Sequence, residues 1–211
     1  MIKEETHNRE PDVSVRQRLL SSAASLFNRK GYAATTVREI VTEAGVTKPV
    51  LYYYYQNKEG IYLELLREPF QKFDTLIDAA RGERGSAKQR LLHLANQVLV
   101  LFLENIDVAR VFYSIYYGPP QGAPFFDFDT YHLKFQDVMS RLVNDGLQSG
   151  EFRKANVEDI VWAILGIINV TIETKLRHLE IDLGRDGLSR VLNLLFQGIV
   201  ADERKGVGER E

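Results

Sequence analysis

The sequence predicts an all-α protein, for two reasons. Apolar residues recur at helical spacing along nearly the whole chain, and no stretch shows the sustained alternation of apolar and polar residues that a half-buried strand requires. A length of 211 residues, with 45% hydrophobic and 27% charged residues, is typical of a globular chain that buries a sizeable core. Glycine, proline and capping residues divide the chain into about nine predicted helices.

The first three predicted helices have clear start and stop signals. Gly31 favours the end of the first helix. Thr36 and Glu39 have the spacing of a capping box at the start of the second helix, and Gly45 ends it. Thr47 is the predicted N-cap of the third helix. Two short helices joined by a glycine-containing turn are typical of the helix-turn-helix unit, whose second helix enters the DNA major groove.

The rest of the chain is predicted to be helical as well. Asn57 is the predicted cap of the fourth helix, in which Pro69 favours a kink. The segment 118–124, GPPQGAP, is a strong helix breaker. Residues 1–12 and the residues from 202 onward are expected to be flexible. The predicted helices cover about residues 15–30, 36–44, 48–54, 58–80, 87–104, 107–117, 128–149, 157–179 and 187–200.

The composition excludes several kinds of protein. Because the chain has no cysteine, a disulfide framework, a thiol nucleophile and cysteine-ligated zinc are excluded. The charged N-terminal stretch predicts neither a signal peptide nor a membrane anchor. The longest apolar run, residues 160–170, is shorter than the roughly 20 residues that a membrane span requires. We therefore expect a cytoplasmic protein.

Charge is distributed unevenly along the chain. Residues 13–58, which we call the head, contain seven lysine and arginine residues against two acidic residues, whereas the whole chain has a net charge of -2. A basic head on an acidic body favours contact between the head and a polyanion such as DNA. The alternative is a chance scatter of charge over solvated helix faces.

Four consecutive tyrosines, Tyr52, Tyr53, Tyr54 and Tyr55, lie in the third predicted helix. Four successive helical residues cover about 300° around the helix axis, so the four rings cannot all face one core. Some of them are expected to face solvent or a binding partner. The alternative is that all but one of the rings pack between the neighbouring helices.

The run LFNRKGYAATTVREIVTEAGVTKPVLYYYYQNKEGIY resembles the TetR family of bacterial transcriptional regulators. The resemblance covers about residues 15–66 and has many matches at fixed spacing, which makes it more specific than a short motif. Tyr54, a position that is often histidine in the family, and Pro69 depart from the family pattern. The matching residues are Phe27, Gly31, Tyr32, Thr35, Thr36, Ile40, Ala44, Gly45, Val46, Leu51, Tyr52, Tyr55 and Lys58.

The resemblance implies two domains. Residues 1–57 are expected to form the helix-turn-helix DNA-binding domain, and residues 58–211 a helical domain for effector binding and dimerisation. The implied function is that of a ligand-responsive transcriptional regulator, with repression the expected mode. Such a protein binds a palindromic operator as a homodimer through residues 36–54 and is released by a small apolar or aromatic effector.

The resemblance also implies roles on DNA. Thr35, Thr36, Tyr52 and Lys58 are expected to contact phosphates. Thr47, Lys48, Pro49, Val50 and Tyr53 are expected to lie at the groove-facing end of the third helix. Leu51 and Tyr55 are expected in the core, and the role of Tyr54 stays open. Because this helix has no Arg, Asn or Gln before Gln56, we expect methyl contacts and DNA shape to carry much of the specificity.

The helical body has two further predicted surfaces. The last two helices carry apolar rows that favour a dimer interface at Ile160, Ile164, Ile168, Leu188, Leu192, Leu195 and Ile199. The alternative is that both helices are internal to one subunit. The residues predicted to line an effector pocket are mostly aromatic with a few polar groups: His93, Phe102, Phe112, Tyr113, Tyr116, Tyr117, Trp162, Asn169 and Glu173. An aromatic row of this kind also fits a plain core.

Two other kinds of function are weighed against a regulator. An enzyme has little support, because the four histidines are scattered and the motifs HExxH, GxSxG and GxGxxG are absent from the sequence. A purely structural helical scaffold leaves the basic head and the tyrosine run without a purpose. We therefore expect no enzymatic activity, no metal site and no cofactor.

Overall fold

The computed structural model describes residues 13–177 and 184–198, with their side chains from residue 15 onward. These residues form nine α-helices and no β-strand, so the predicted all-α fold is confirmed. No helix among them is long and apolar enough to cross a membrane. The helices are α1 (Val13–Ala34), α2 (Val37–Glu43), α3 (Lys48–Tyr55), α4 (Lys58–Ala80), α5 (Ala87–Glu104), α6 (Ile106–Tyr116), α7 (Phe128–Gln148), α8 (Val157–Leu176) and α9 (Gly184–Gln197).

Local signals define the ends of the N-terminal helices as predicted. The Thr36 hydroxyl accepts a bond from the Glu39 amide, and the Glu39 carboxylate accepts one from the Thr36 amide, which completes the capping box of α2. Gly31, with φ 80° and ψ 166°, interrupts the helical path within α1. At the start of α4, Asn57 Oδ1 accepts a bond from Gly60 N at 2.7 Å.

Two details differ from the prediction, and one agrees with it. Thr47 occupies the N-cap position of α3, but its side chain makes no capping hydrogen bond. The helix α4 continues through Pro69 to Ala80, as the predicted range 58–80 has it, since a proline removes one helical N–H bond without removing those of its neighbours. The last helix begins at Gly184, earlier than predicted, and the predicted positions 199 and 200 lie outside the described residues.

The chain divides into two compact units. The first comprises residues 1–72 and 105–128, and the second comprises residues 73–104 and 129–211. Within each unit, the structure describes only the residues that belong to 13–177 and 184–198. The first unit therefore contains more than the head, because it includes α6 and the connection that follows it. The functional division predicted after residue 57 stays a prediction.

The core of the first unit is built from all three head helices and the start of α4. Leu19 of α1, Ile40 of α2 and Leu51 of α3 are fully buried, together with Ile61 and Tyr62 of α4. Burying an aliphatic side chain of this size stabilises a fold by about 1.5–3 kcal/mol. Val111 of α6 and Phe128 complete the same cluster. The position of the helix-turn-helix is thus set by α1, α4 and α6 together.

The second unit has its own core and an unusual helix start. Leu94 of α5, Met139 of α7 and Ile164 of α8 are fully buried in it. The Glu151 carboxylate, from the turn between α7 and α8, accepts bonds from the amides of Ala87 (2.7 Å) and Lys88 (3.0 Å). This carboxylate caps the N-terminus of α5, where the helix has unbonded amides and positive partial charge.

Candidate nucleic-acid interface

The turn between α2 and α3 fixes the orientation of α3. The amide of Val46 donates to Val41 O at 2.9 Å, and the amide of Gly45, at φ 64°, donates to Thr42 O at 3.2 Å. Leu51, which is fully buried, and Tyr55, which is 5% exposed, anchor one face of α3 in the core, as predicted. The opposite face of α3 consequently points to solvent.

The exposed face of α3 carries most of the residues predicted to contact DNA. Tyr53 is 81% exposed and Tyr52 is 47% exposed. Thr47, Lys48 and Pro49 are exposed as well, and Val50 is half-buried. The structure therefore brings together, on one surface, every residue predicted for the groove-facing end of the helix.

Tyr54 has a supporting position next to this surface. Its ring is half-buried and packs against the head core. The ring centre lies 5.1 Å from that of Tyr53, edge to face, and 6.2 Å from that of Tyr55. Edge-to-face pairs of this kind are favourable for aromatic rings. Tyr54 thus joins the exposed ring of Tyr53 to the buried ring of Tyr55.

Thr35 and Lys58, predicted as phosphate contacts, have internal partners instead. Thr35 is 1% exposed, and its hydroxyl donates to Gly31 O at 2.8 Å. Lys58 Nζ donates to Tyr32 O at 2.8 Å and to Thr35 O at 2.9 Å. Because these polar groups hold the α1–α2 connection to α4, we leave both residues out of the contact surface proposed below.

Thr36 lies at the surface, but its hydroxyl is hydrogen-bonded to the Glu39 carboxylate. Thr36 Oγ1 lies 2.7 Å from Glu39 Oε2, and Lys30 Nζ lies 2.5 Å from Glu39 Oε1. The hydrogen bond from Lys30, followed by those from Thr36, lowers the pKa of Glu39 to about 2. The lowered pKa means that the Glu39 carboxylate stays ionised to well below pH 4.5.

Ion pairs inside the protein occupy several cations of the head. Arg29 pairs with Glu43 at 2.6 Å, Lys30 pairs with Glu39, and Arg16 pairs with Glu64. In contrast, the exposed side chains of Arg18, Arg38 and Lys48 have no ion pair or hydrogen bond to any residue that the structure describes.

Like Arg18 on α1, Arg38 on α2 is a candidate contact residue that the sequence prediction did not include. The available signal was the absence of an acidic residue three or four positions away from it, which leaves an exposed arginine without a local helical partner. With Arg18 and Lys48, it supplies the positive charge that is not already neutralised within the head.

The apolar rows predicted as a dimer interface lie mainly inside the subunit. Ile164 and Ile168 of α8 and Leu188 and Leu192 of α9 are at most 1% exposed, which corrects the prediction. Ile160 and Leu195 are half-buried, and Ile199 lies outside the described residues. The physical reason is that the apolar stripes of α8 and α9 form the core of the second unit.

A different face of these helices is exposed. It carries Trp162, 61% exposed, and Val170, 55% exposed, on α8. Gly166 lies between them, where an added Cβ would have no neighbouring atom within 4 Å. On α9, Leu194 is 52% exposed. We call this set, Trp162, Gly166, Val170 and Leu194, the α8–α9 outer face.

The residues predicted for an effector pocket are divided between the two units. Several of them are exposed: His93, which lies 3.4 Å from Glu83, and Tyr116, Tyr117, Trp162 and Asn169. Glu173 pairs with Arg177 at 2.5 Å. Phe102, Phe112 and Tyr113 are half-buried.

Phe112 and Phe102 take part in ring packing within their own units. The Phe112 ring lies 4.9 Å from Phe128 and 5.6 Å from Phe70, all three in the first unit. The Phe102 ring lies 6.4 Å from Phe73 in the second unit. These contacts fit the alternative of a plain core.

Comparisons with known proteins agree with the helix-turn-helix geometry. Residues 19–65 match the family described as bacterial regulatory proteins, tetR family. The uncharacterized HTH-type transcriptional regulator YdgC of Bacillus subtilis is 32% identical over 103 residues, which are 47% of this chain and 53% of YdgC. The chain thus spans about half of the length of this relative.

Solved structures share the fold over most of the chain. The TetR family transcriptional regulator PfmR from Thermus thermophilus has a TM-score of 0.69 and 22% identity, and the match covers 87% of this chain and 100% of that one. The transcriptional regulator FadR from Bacillus subtilis, in complex with stearoyl-CoA, has a TM-score of 0.61 and 21% identity, with 87% and 99% covered.

Proposed function

The chain belongs to the TetR family of bacterial regulatory proteins, and from this premise we propose that it is a transcriptional repressor that binds a palindromic operator as a homodimer. The observation that carries the proposal is the exposed face of α3, with Lys48, Tyr52 and Tyr53, together with Arg18 of α1 and Arg38 of α2, which are exposed and pair with no residue that the structure describes. These side chains combine positive charge for phosphates with apolar and hydroxyl groups for base edges.

The contact that each residue is proposed to make with DNA follows from the chemistry of its side chain. Arg18 and Arg38 contact phosphates, since neither pairs with a described residue and an exposed cation that neutralises a phosphate releases counterions. Lys48 donates to guanine O6 and N7 from the first turn of α3, and Pro49 and the Tyr53 ring pack on thymine methyl groups. Because α3 offers few bidentate hydrogen-bond donors, the protein distinguishes its operator from other DNA largely by methyl contacts and DNA shape.

We propose that the α8–α9 outer face forms the dimer. Two heads must be held about one helical turn of DNA apart, roughly 34–36 Å, to read a palindrome. Trp162 and Leu194 offer exposed apolar surface, and Gly166 permits a close approach of two helices. Large aromatic side chains of this kind are typical anchors of protein interfaces.

The effector is proposed to be a small apolar or aromatic molecule that lowers the affinity for DNA. Such a molecule acts only if it binds the DNA-free conformation more tightly than the DNA-bound one. The complex of FadR with stearoyl-CoA makes long-chain acyl-CoA the first effector class to test. The lining residues stay predictions.

The test starts with selection of DNA from a random pool. We expect a recovered palindrome, binding that weakens as salt rises because counterions are released, and loss of binding when an effector is added. Acyl-CoA thioesters, the corresponding free fatty acids and small aromatic compounds are then compared for release. Recovery of no DNA sequence, or affinity that does not depend on salt, would rule out a regulator and favour an enzyme or a scaffold.

A further inference from the structure

One glutamine joins the connection after α6 to the end of α1. This connection covers residues 117–127, and Gln121 lies near its middle. Gln121 Oε1 accepts a hydrogen bond from Tyr32 N at 3.2 Å. Its Nε2 donates to Ser114 O at 3.2 Å and to Ser114 Oγ at 2.8 Å. Both polar ends of the side chain are therefore bonded, one to the head and the other to α6.

Tyr32, whose amide the glutamine holds, is part of a network at the start of α2. Tyr32 O accepts bonds from Thr35 N at 3.2 Å and from Lys58 Nζ at 2.8 Å. Lys58 also bonds Thr35 O, and the Thr35 hydroxyl bonds Gly31 O. The next residue, Thr36, caps α2. A shift of the Gly31–Tyr32 peptide is therefore passed directly to the helix that carries Arg38.

The local sequence favours a defined position for this glutamine. A Cβ at position 31 would lie 2.6 Å from Gln121 Oε1, so the glycine leaves the room that the amide needs. Pro119 and Pro120 precede Gln121 and restrict the backbone, which reduces the conformational entropy lost when the connection is held in place. The glutamine is itself half-buried.

We propose that Gln121 is a positioning residue for DNA binding, which fixes the Gly31–Tyr32 peptide and with it the start of α2. The inference rests on the proposed function and deepens it, because Gln121 lies outside the helix-turn-helix and outside residues 19–65. Without the Oε1 acceptor, the Tyr32 N–H loses its bond and the α1–α2 connection is less ordered in the free protein. Binding DNA then requires this connection to be ordered first, which weakens affinity.

The test compares Gln121→Met, which keeps the side-chain length but has no hydrogen bonds, with Gln148→Met at an exposed glutamine of α7. We expect Gln121→Met to weaken binding to the selected DNA roughly tenfold, the range of a lost, partly buried hydrogen bond. The slope of log K against log salt stays unchanged, because no phosphate contact is removed. Gln148→Met leaves affinity unchanged.

Amide hydrogen exchange gives a readout that a general loss of stability does not produce. We expect exchange of the Tyr32 N–H in Gln121→Met to accelerate by more than the loss of global stability, measured by unfolding in urea, accounts for. Gln121→Glu keeps an oxygen acceptor at the Oε1 position and loses only the Nε2 donor to Ser114, so it is expected to keep the Tyr32 N–H protected. Rapid exchange in Gln121→Glu would contradict the proposed bond.

Two outcomes separate the failure of this inference from that of the proposed function. If the wild-type protein binds selected DNA and Gln121→Met binds it equally well, Gln121 has no positioning role and the proposed function stands. The same conclusion follows if the loss of affinity disappears once only folded protein is counted. If the wild-type protein selects no DNA, both the proposed function and the inference fail.

Discussion

The ammonium group of Lys58 lies over the ring of Tyr32, 4.1 Å from its centre, and donates to the carbonyl oxygen of the same residue at 2.8 Å. Burial, followed by the charge of Lys30, lowers the pKa of Lys58 below 10.5. We predict that Lys58→Met, which removes the donor to the carbonyl oxygens of Tyr32 and Thr35, lowers the free energy of unfolding by about 1–3 kcal/mol. Urea unfolding measures this difference.

Lys72→Met is the matched control for Lys58→Met. Lys72 lies in the same helix, is exposed, and pairs with Glu68 one turn away at 2.8 Å. Exposed pairs of this kind contribute little, so the change in unfolding free energy is expected to stay below about 0.5 kcal/mol. Equal effects of the two substitutions would contradict the structural role of Lys58.

Two buried tyrosines of the first unit differ in their hydroxyl groups. The Tyr62 hydroxyl is buried and has no hydrogen-bond partner among the described residues, whereas the Tyr55 hydroxyl donates to Arg16 O at 3.3 Å. We predict that Tyr62→Phe leaves the free energy of unfolding unchanged or raises it, because an unbonded polar group is removed. Tyr55→Phe is expected to lower it by about 0.5–1.5 kcal/mol. Urea unfolding of both variants tests the contrast.

Tyr62 is also expected to make the stability of the fold depend on pH. Burial, followed by the nearby Tyr32, raises the pKa of Tyr62 from 10.0 to about 12. A group with a raised folded-state pKa contributes stability that is fully present below the unfolded pKa and is lost as pH rises through the folded pKa. Wild-type protein is therefore expected to lose more stability than Tyr62→Phe between pH 10 and 12. Parallel pH profiles of melting temperature would contradict this.

Glu151 links the turn before α8 to the start of α5, and its effect is expected at acid pH. Burial opposes its ionisation, but bonds from the Lys88 and Ala87 amides and the Ser86 hydroxyl, with the charge of Arg90, lower its pKa overall. Stability from this group is present above pH 4.5 and is lost as pH falls through the lowered pKa. We predict that Glu151→Gln costs about 0.5–2 kcal/mol at pH 7, as for a lost helix cap, and loses less stability than wild type on acidification.

Glu104→Gln provides the control for Glu151→Gln. Glu104 is the exposed last residue of α5, far along the helix from the capped end. Its substitution is expected to leave the melting temperature at pH 7 nearly unchanged. The prediction for Glu151 is wrong if both variants have the same melting temperature as wild type at every pH.

The residues that sequence reasoning placed correctly are those whose signals are local. The Thr36–Glu39 capping box and the Asn57 cap are short motifs, and each has the bonds that the motif predicts. The buried face of α8 could not be predicted in this way. That helix is apolar almost all round, so its periodicity does not indicate which side packs against the core. The structure places Ile164 inside and Trp162 outside.

The sequence pattern also does not predict hydrogen bonds between residues that are far apart in the chain. Lys58 was expected to face DNA, but its carbonyl partners come from a turn more than twenty positions earlier. Gln121 reaches Tyr32 from 89 positions later, and no local motif predicts that contact. Tyr53, by contrast, was predicted to be exposed, because four successive tyrosines cannot all be buried on one helix.

Gly166 allows the proposed dimer to be tested without disturbing the subunit. Because a Cβ added at this position meets no atom within 4 Å and Gly166 is exposed, Gly166→Arg is expected to fold normally. If the α8–α9 outer face forms the dimer, the arginine separates the helices and buries a charge, so sedimentation shows monomers and operator affinity falls. Leu133→Arg, at an exposed position of α7, is the control and is expected to stay dimeric. A dimeric Gly166→Arg would exclude this face.

Arg38 and Arg29 distinguish free cations of the head from paired ones. Both arginines are exposed, but Arg29 is bonded to Glu43 at 2.6 Å, whereas the Arg38 side chain has no partner among the described residues. We predict that Arg38→Ala reduces the slope of log K against log salt by about 0.9, the value for one phosphate contact, with no change in sequence preference. Arg29→Ala is expected to change the slope less, because the Arg29 guanidinium is held by Glu43 and no phosphate contact is proposed for it. Lys48→Ala is expected to weaken binding and to relax preference at one guanine in a repeated selection. Equal salt slopes for wild type and Arg38→Ala would remove Arg38 from the DNA contact surface and leave the groove-facing residues of α3 as the basis of the proposal.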